Sequence, residues 1–486
     1  MRKNKIPYVI AVMLILVLLI GYVPYKGMEF PLLGQIKAGG WFRQGLYFCL
    51  GLSFTALLCE EKMQHGKILA RENARQFVRG AALAVFCSVS ERLYFFVVGT
   101  REFSGIEMGL DLLCAVLGSG VMMAVLALRA SKEKGCVHSI SRRNFHLDSI
   151  STYRSQLMGV AILLVMLFHM KSVRATFGGP LVGKIISCGY VGVDVFMLMS
   201  GLGMVFSLSK NQNWANFMRR RLVTVMPAYF AVAGIYSLMM IFAGDCGWEM
   251  LVLNLTTLSF YTGGDGTFNW YIPCILLFYL VTPWIYRRLS NPGRRVAWTV
   301  GLCLGSYLFS GILGNVFELG RLNIAFTRFP VYVLGMLTGF AIKEKWTFGW
   351  KDRIAMWVGG ILFGGLYLLH EGKVVGIFCG HWLLFAPLAF LGCAELGALM
   401  KKVPESFVGM RALKWMGGGD NSLLLFLLNI LLIRAAWVVC PSLGWQGIWF
   451  RRAVGVGIVI VEILAVAGIN RVKKRLLARK KFTKAT

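Results

Sequence analysis

One histidine, one aspartate and three consecutive arginines stand among apolar residues between Arg154 and Tyr229, and each type can do chemistry there. RSQLMGVAILLVMLFH ends on His169, GYVGVDVFMLMSG encloses Asp194, and RRRLVTVMPAY opens on Arg219, Arg220 and Arg221. An imidazole takes and returns a proton near neutral pH, which makes His169 a candidate general base. Asp194 is the candidate to orient it, as a carboxylate orients a catalytic histidine. The other reading is structural: a neutral histidine and a buried acid, each hydrogen-bonded between helices. Three arginines in a row suit a nearby anion, because a guanidinium binds phosphate or carboxylate oxygens two at a time. Topology alone accounts for them equally well, since basic residues collect at cytoplasmic loops.

The elements that must position these groups are helices. At 1.5 Å per residue, His169 lies about 18 Å along its helix from Leu157, and Asp194 about 9 Å inside the next apolar run. An ionisable side chain at such depth in lipid is a functional candidate by default. The chain of 486 residues is 57% hydrophobic and 15% charged, with a mean hydropathy of +0.66, outside the range of soluble proteins. It reads as an all-α integral membrane protein, a polytopic helical bundle of about ten core spans preceded by about four N-terminal ones, at about 20 residues each.

The first apolar run follows MRKNK without a small-residue cleavage pattern and reads as a retained signal anchor. The expected organisation is a four-span region over 1–131 with no assigned role, a basic cytoplasmic linker over 132–153, a membrane domain over 154–472 and a basic cytoplasmic tail over 473–486. Basic loops alternate consistently, which places both termini in the cytoplasm of a multi-pass plasma-membrane protein. A partner for the N-terminal spans is not identifiable from sequence.

Three pieces in this order, AILLVMLFH, VGVDVFMLMSG and RRL leading to PAY, resemble the acyltransferase 3 family of multi-pass bacterial membrane proteins. NWYIPCILLFYLVTP and RFPVYVLGMLTG support the resemblance. It implies transfer of an acyl group, commonly acetyl in that family, from cytoplasmic acetyl-CoA or another acyl-CoA to a hydroxyl of an extracytoplasmic glycan. It implies no permanently bound cofactor and no metal. His169 would be the base and Asp194 its partner, while Arg219, Arg220 and Arg221 would meet the donor's phosphates. Arg328, Trp270 and Tyr271 would contact the acceptor. Two positions depart from the family pattern: Met158 stands where an arginine is usual, with Arg154 one helical turn earlier as its substitute, and Thr224 replaces a second arginine. His381 and Asn429 are further candidates to line the cavity. An exporter or flippase using the same cavity without acyl chemistry is the alternative.

The net charge of +30 raises nucleic acid as a ligand, but the basic residues form short clusters between apolar runs, which topology explains; anionic membrane lipid, not nucleic acid, is the expected contact of the basic tail. The twelve cysteines have no metal-ligand spacing and mostly lie in apolar runs as small hydrophobes; Cys188, Cys246 and Cys440 could face outward, where one disulfide is the minority reading and no pair is favoured. Gly244 to Asn269 contains no Lys or Arg, is partly apolar, and reads as a lid that dips into the membrane.

Overall fold

Long apolar runs satisfy their own backbone only as helices in lipid, and that is what forms. The computed structural model describes residues 41–59, 70–97, 105–132, 147–173, 180–315, 317, 320–346, 349–371, 375–377, 385–440 and 447–482, with 22–24 and positions 9, 11, 12 and 15. Its helices begin with α1 (Trp41–Cys59), α2 (Ala70–Val97), α3 (Gly105–Lys132), α4 (Asp148–Thr152) and α5 (Arg154–His169). They continue with α6 (Pro180–Ser187), α7 (Val191–Lys210), α8 (Trp214–Phe242), α9 (Glu249–Leu255), α10 (Ser259–Thr262) and α11 (Tyr271–Ser290). The last are α12 (Pro292–Asn315), α13 (Gly320–Lys343), α14 (Trp350–Glu371), α15 (Phe385–Met400), α16 (Val408–Gly417), α17 (Asn421–Val439) and α18 (Ile448–Phe482).

Among the described residues, seven helices are long and apolar enough to cross a membrane: α3, α7, α8, α11, α13, α17 and α18. Three shorter apolar helices, α1, α5 and α15, join them. The protein is an all-α polytopic membrane protein. A three-residue antiparallel ladder, β1 (Tyr22–Pro24) on β2 (Val375–Ile377), is a minor addition. β2 stands near the start of the apolar run 374–396, whose helix α15 is described over Phe385–Met400. The expected N-terminal span lies for the most part outside the described residues, as does His381.

The chain forms two compact units. The first comprises Met1–Asp148, Ser200–Lys210 and Thr282–Gly392. In it α1 and α3 interlock through glycines: a Cβ on Gly51 would strike the Ala115 carbonyl, and one on Gly118 the Phe48 carbonyl. Removing the side chain there lets two backbones meet, the usual device for packing helices in lipid. Ser119 adds a hydrogen bond to the Gly51 carbonyl at 3.3 Å. α12 and α13 are tied by Ser306 Oγ to the Phe326 carbonyl and by Ser310 Oγ to Asn323 Oδ1 at 2.9 Å. Buried Arg295 grips Glu344 with two nitrogens at 2.9 and 2.8 Å, donates through Nε to the Leu289 carbonyl at 2.6 Å, and stacks on Phe340. Trp346 Nε1 donates to the same carboxylate at 3.0 Å.

The second unit comprises Ser149–Met199, Asn211–Val281 and Cys393–Thr486. Its core gathers Ala161, Ile162, Val165 and Met166 of α5, Val193 and Phe196 of α7, Tyr229 and Ala233 of α8, Ile272 of α11 and Leu424–Leu431 of α17. α5 is the hub. Gly192 and Gly189 lie against the carbonyls of Ala161 and Leu164 on one side of it. On another side Gly159 meets the Leu413 carbonyl and Gly417 the Ser155 carbonyl, so α16 locks across the start of α5. The basic stretch KKVPESFVGMRALK reads from sequence as a cytoplasmic loop, and α16 begins inside it at Val408.

The segment 244–269 is a folded cap rather than an open lid. Its two short helices are pinned by fully buried Asn254, whose Nδ2 donates to Ser237 Oγ at 2.9 Å and to the Gly266 carbonyl at 3.0 Å. Asn254 Oδ1 accepts from the Phe268 amide at 3.0 Å, and its carbonyl accepts from Tyr229 Oη at 2.7 Å. Arg434 of α17 adds an ion pair to Asp245 at 3.1 Å. Cys188, Cys246 and Cys440 are free thiols, not disulfide partners.

Candidate functional site

Within the second unit, α5 carries chemistry at both ends. At its last residue, half-buried His169 places Nδ1 2.6 Å from Asn429 Oδ1 on α17. Asn429 Nδ2 in turn donates to Glu462 Oε1 on α18 at 2.7 Å. Asn429 is 1% and Glu462 0% exposed, so three helices converge on one polar chain inside an apolar core. His169 Nε2 has no hydrogen-bond partner among the described residues.

Asp194 is fully buried in the first turn of α7, and the hydrogen bond of His169 runs to Asn429 instead. Asn429 was legible as a cavity candidate. Glu462 was missed, although its signal was present: a single acid inside the apolar run VGVGIVIVEILAVAG, the same kind of outlier that drew attention to Asp194.

At the other end of α5 stands Arg154, about 22 Å from His169 by the helical rise. Its Nη2 donates to the Met199 carbonyl at 3.3 Å, and it is close enough to Arg221 of α8 and Tyr279 of α11 to interact electrostatically with both. Arg221 lies over the rings of Phe217 and Tyr279, 5.6 and 5.9 Å from their centroids. The Nε atoms of Arg154 and Arg221 are buried and without hydrogen-bond partners among the described residues. An anion bound between the two guanidinium groups would fill those donor positions and relieve their repulsion. Arg219 and Arg220 are exposed on α8, and Thr224 Oγ1 bonds back to the Arg220 carbonyl at 2.8 Å. Met158 packs on the apolar core.

Trp270 precedes α11 and Tyr271 opens it, and both pack on that core, the Tyr271 ring centroid 5.2 Å from that of Phe426 and 6.3 Å from that of Phe196. Tyr271 thus meets α17 at Phe426, one helical turn from the Asn429 that holds His169, while Arg154 and Arg221 belong to the opposite end of α5. Arg328 belongs to the first unit, where it is 1% exposed within α13. Gly201, next to Ser200, lies against the Tyr332 carbonyl, where a Cβ would not fit.

A family profile described as an acyltransferase domain matches residues 157–467. Over 127 residues the chain is 28% identical to a curated protein of Streptomyces mycarofaciens, Acyltransferase MdmB. That stretch covers 24% of this chain and 33% of the relative, so most of the relative lies outside the match. No solved structure matches.

Proposed function

The chain belongs to the acyltransferase domain family, and from that membership we propose a membrane-bound O-acyltransferase that moves an acyl group, acetyl first among them, from cytoplasmic acyl-CoA to a hydroxyl of an extracytoplasmic glycan. In this reading the protein sits in the plasma membrane with both termini cytoplasmic.

The observation that carries it is the pairing of two ends of one helix: His169, hydrogen-bonded through Nδ1, and Arg154 beside Arg221, about 22 Å away by the helical rise. The donor's phosphates dock on Arg154 and Arg221, with exposed Arg219 and Arg220 drawing them in. The phosphopantetheine arm then covers the length of α5 and brings the thioester toward His169. His169 Nε2 takes the proton of the acceptor hydroxyl as its oxygen attacks the thioester carbonyl. The C–S bond breaks, and the imidazolium returns the proton to the departing thiolate. Trp270 and Tyr271 offer a sugar ring an aromatic surface. Roles for Asp194 as a positioning acid and for Arg328 in acceptor binding rest on the family resemblance.

The test is release of free CoA from acetyl-CoA by the full chain in liposomes containing acceptor glycan. Wild type should turn over, and His169→Ala should lose about 100- to 10,000-fold in kcat, the usual reach of general-base catalysis. Wild-type export of glycan without any ester formation would favour the exporter reading and sink this one.

A further inference from the structure

The hydrogen-bond directions along His169–Asn429–Glu462 have a consequence for which imidazole nitrogen is basic. Asn429 Nδ2 donates to Glu462 Oε1 at 2.7 Å, and Oε1 accepts in this way whether the group is ionised or carries its proton on Oε2. An asparagine side chain has one oxygen and one nitrogen at its tip. With Nδ2 committed to α18, Oδ1 is the atom left to face His169, at 2.6 Å from Nδ1. Because Oδ1 only accepts, Nδ1 must carry the proton. A neutral imidazole protonated at Nδ1 has its lone pair on Nε2.

We infer that Glu462 is a positioning residue: acting through Asn429, it holds the His169 imidazole in the Nδ1–H tautomer and leaves Nε2 as the basic nitrogen. This rests on His169 serving as the general base. Without the carboxyl group, the Asn429 amide is free to turn over. Its NH2 then faces Nδ1, the proton moves to Nε2, and the nitrogen that must accept the acceptor's proton is blocked. The placement of the acid supports a functional reading. Glu462 lies in the apolar helix α18, is 0% exposed, and its Oε2 has no hydrogen-bond partner among the described residues. An acid in that setting costs stability, and a methionine or leucine would pack there without the cost. The Nδ1 hydrogen bond of His169 goes to Asn429, so the tautomer is set from α17 and α18.

The experiment combines steady-state kinetics with 15N NMR of histidine-labelled full-length protein in nanodiscs, at a pH where the imidazole is neutral. The His169 signal is assigned among the six histidines by its loss in His169→Gln. Wild type should show a protonated Nδ1 and a bare Nε2. Glu462→Met, close in volume and at home in lipid, should move the signal toward Nε2–H and lower kcat by about 10- to 100-fold, the usual effect of losing a partner behind a functional histidine, with KM for donor little changed. Glu462→Gln, whose carbonyl can still accept from Asn429, should restore both the tautomer and most of kcat. A wild-type signal protonated at Nε2, or unchanged tautomer and kcat in Glu462→Met, overturns the proposal. If His169→Ala itself keeps wild-type kcat, the base assignment fails instead, and the NMR result still decides the tautomer.

Discussion

Arg221 lies over Tyr279 with its guanidinium carbon 5.9 Å from the ring centroid, while the same tyrosine and arginine both stand within electrostatic reach of Arg154. The guanidinium lies within cation–π reach of two rings, and its buried Nε has no protein partner among the described residues. Replacing Arg221 with Ala should raise KM for acyl-CoA by roughly 10- to 100-fold, the equivalent of one hydrogen bond to a charged group at about 1.5–3 kcal/mol, with kcat nearly unchanged. Lysine should rescue poorly, because it neither stacks nor presents a planar fork. A donor titration in liposomes reads this directly, and an unchanged KM would remove Arg221 from the donor site.

The Arg295–Glu344 pair predicts a strongly non-additive stability result. Arg295 is 2% exposed and Glu344 24% exposed in their side chains. Arg295→Met alone strands a carboxylate that is also held by Trp346, and should cost about 2–4 kcal/mol, somewhat below the range for a fully buried pair because water reaches Glu344. Adding Glu344→Leu should recover part of that loss. Thermal unfolding of the two single variants and the double variant in nanodiscs gives the coupling, and strict additivity would show that the pair contributes nothing as a pair.

Glycine at position 159 is a packing requirement with a built-in comparison. A Cβ there would meet the Leu413 carbonyl, so Gly159→Val should push α16 off α5 and lower stability by about 1–3 kcal/mol. Gly301, on α12, has no atom within 4 Å of where a Cβ would sit. Gly301→Ala should be neutral or slightly stabilising, since alanine favours helix over glycine. Equal loss in both variants, measured by thermal unfolding, would mean that the close approach of α5 and α16 is not what holds them.

The basic residues after Asn470, which continue α18 to Phe482, predict that a tag placed at Thr486 is cytoplasmic. Labelling of a single introduced cysteine by an impermeant reagent in intact cells should therefore fail until the membrane is opened. Labelling from outside would invert the orientation on which donor entry at Arg154 depends.

Much of this was legible in the sequence because lipid allows so few backbone solutions. A run such as SLLLFLLNILLIRAAWVV has one stable form, and α17 is helical over Asn421–Val439. His169 and Asp194 stood out for the same reason, as ionisable groups in apolar surroundings. What could not be read was which polar groups meet. His169 and Asn429 are 260 positions apart, and helical periodicity sets depth along a helix without saying which neighbour a side chain faces. Similar depth along neighbouring helices favoured Asp194, while the hydrogen bond goes to α17. α16 escaped notice because its glycines and basic residues look like loop composition, and its helix is held by backbone contact with α5.

Asn254 leaves the cap over 244–269 with little ordering left to do. One amide group joins α8, the turn at Gly266 and the amide of Phe268, and the segment is already native before any ligand arrives. Recruitment of a partner by this face then carries no disorder-to-order penalty, and its heat-capacity change should report only the area of the contact itself. Under the proposed function, selectivity on that side would come from the fixed relief of a finished surface, and an acceptor of the wrong shape would be refused at encounter and not after a closure step.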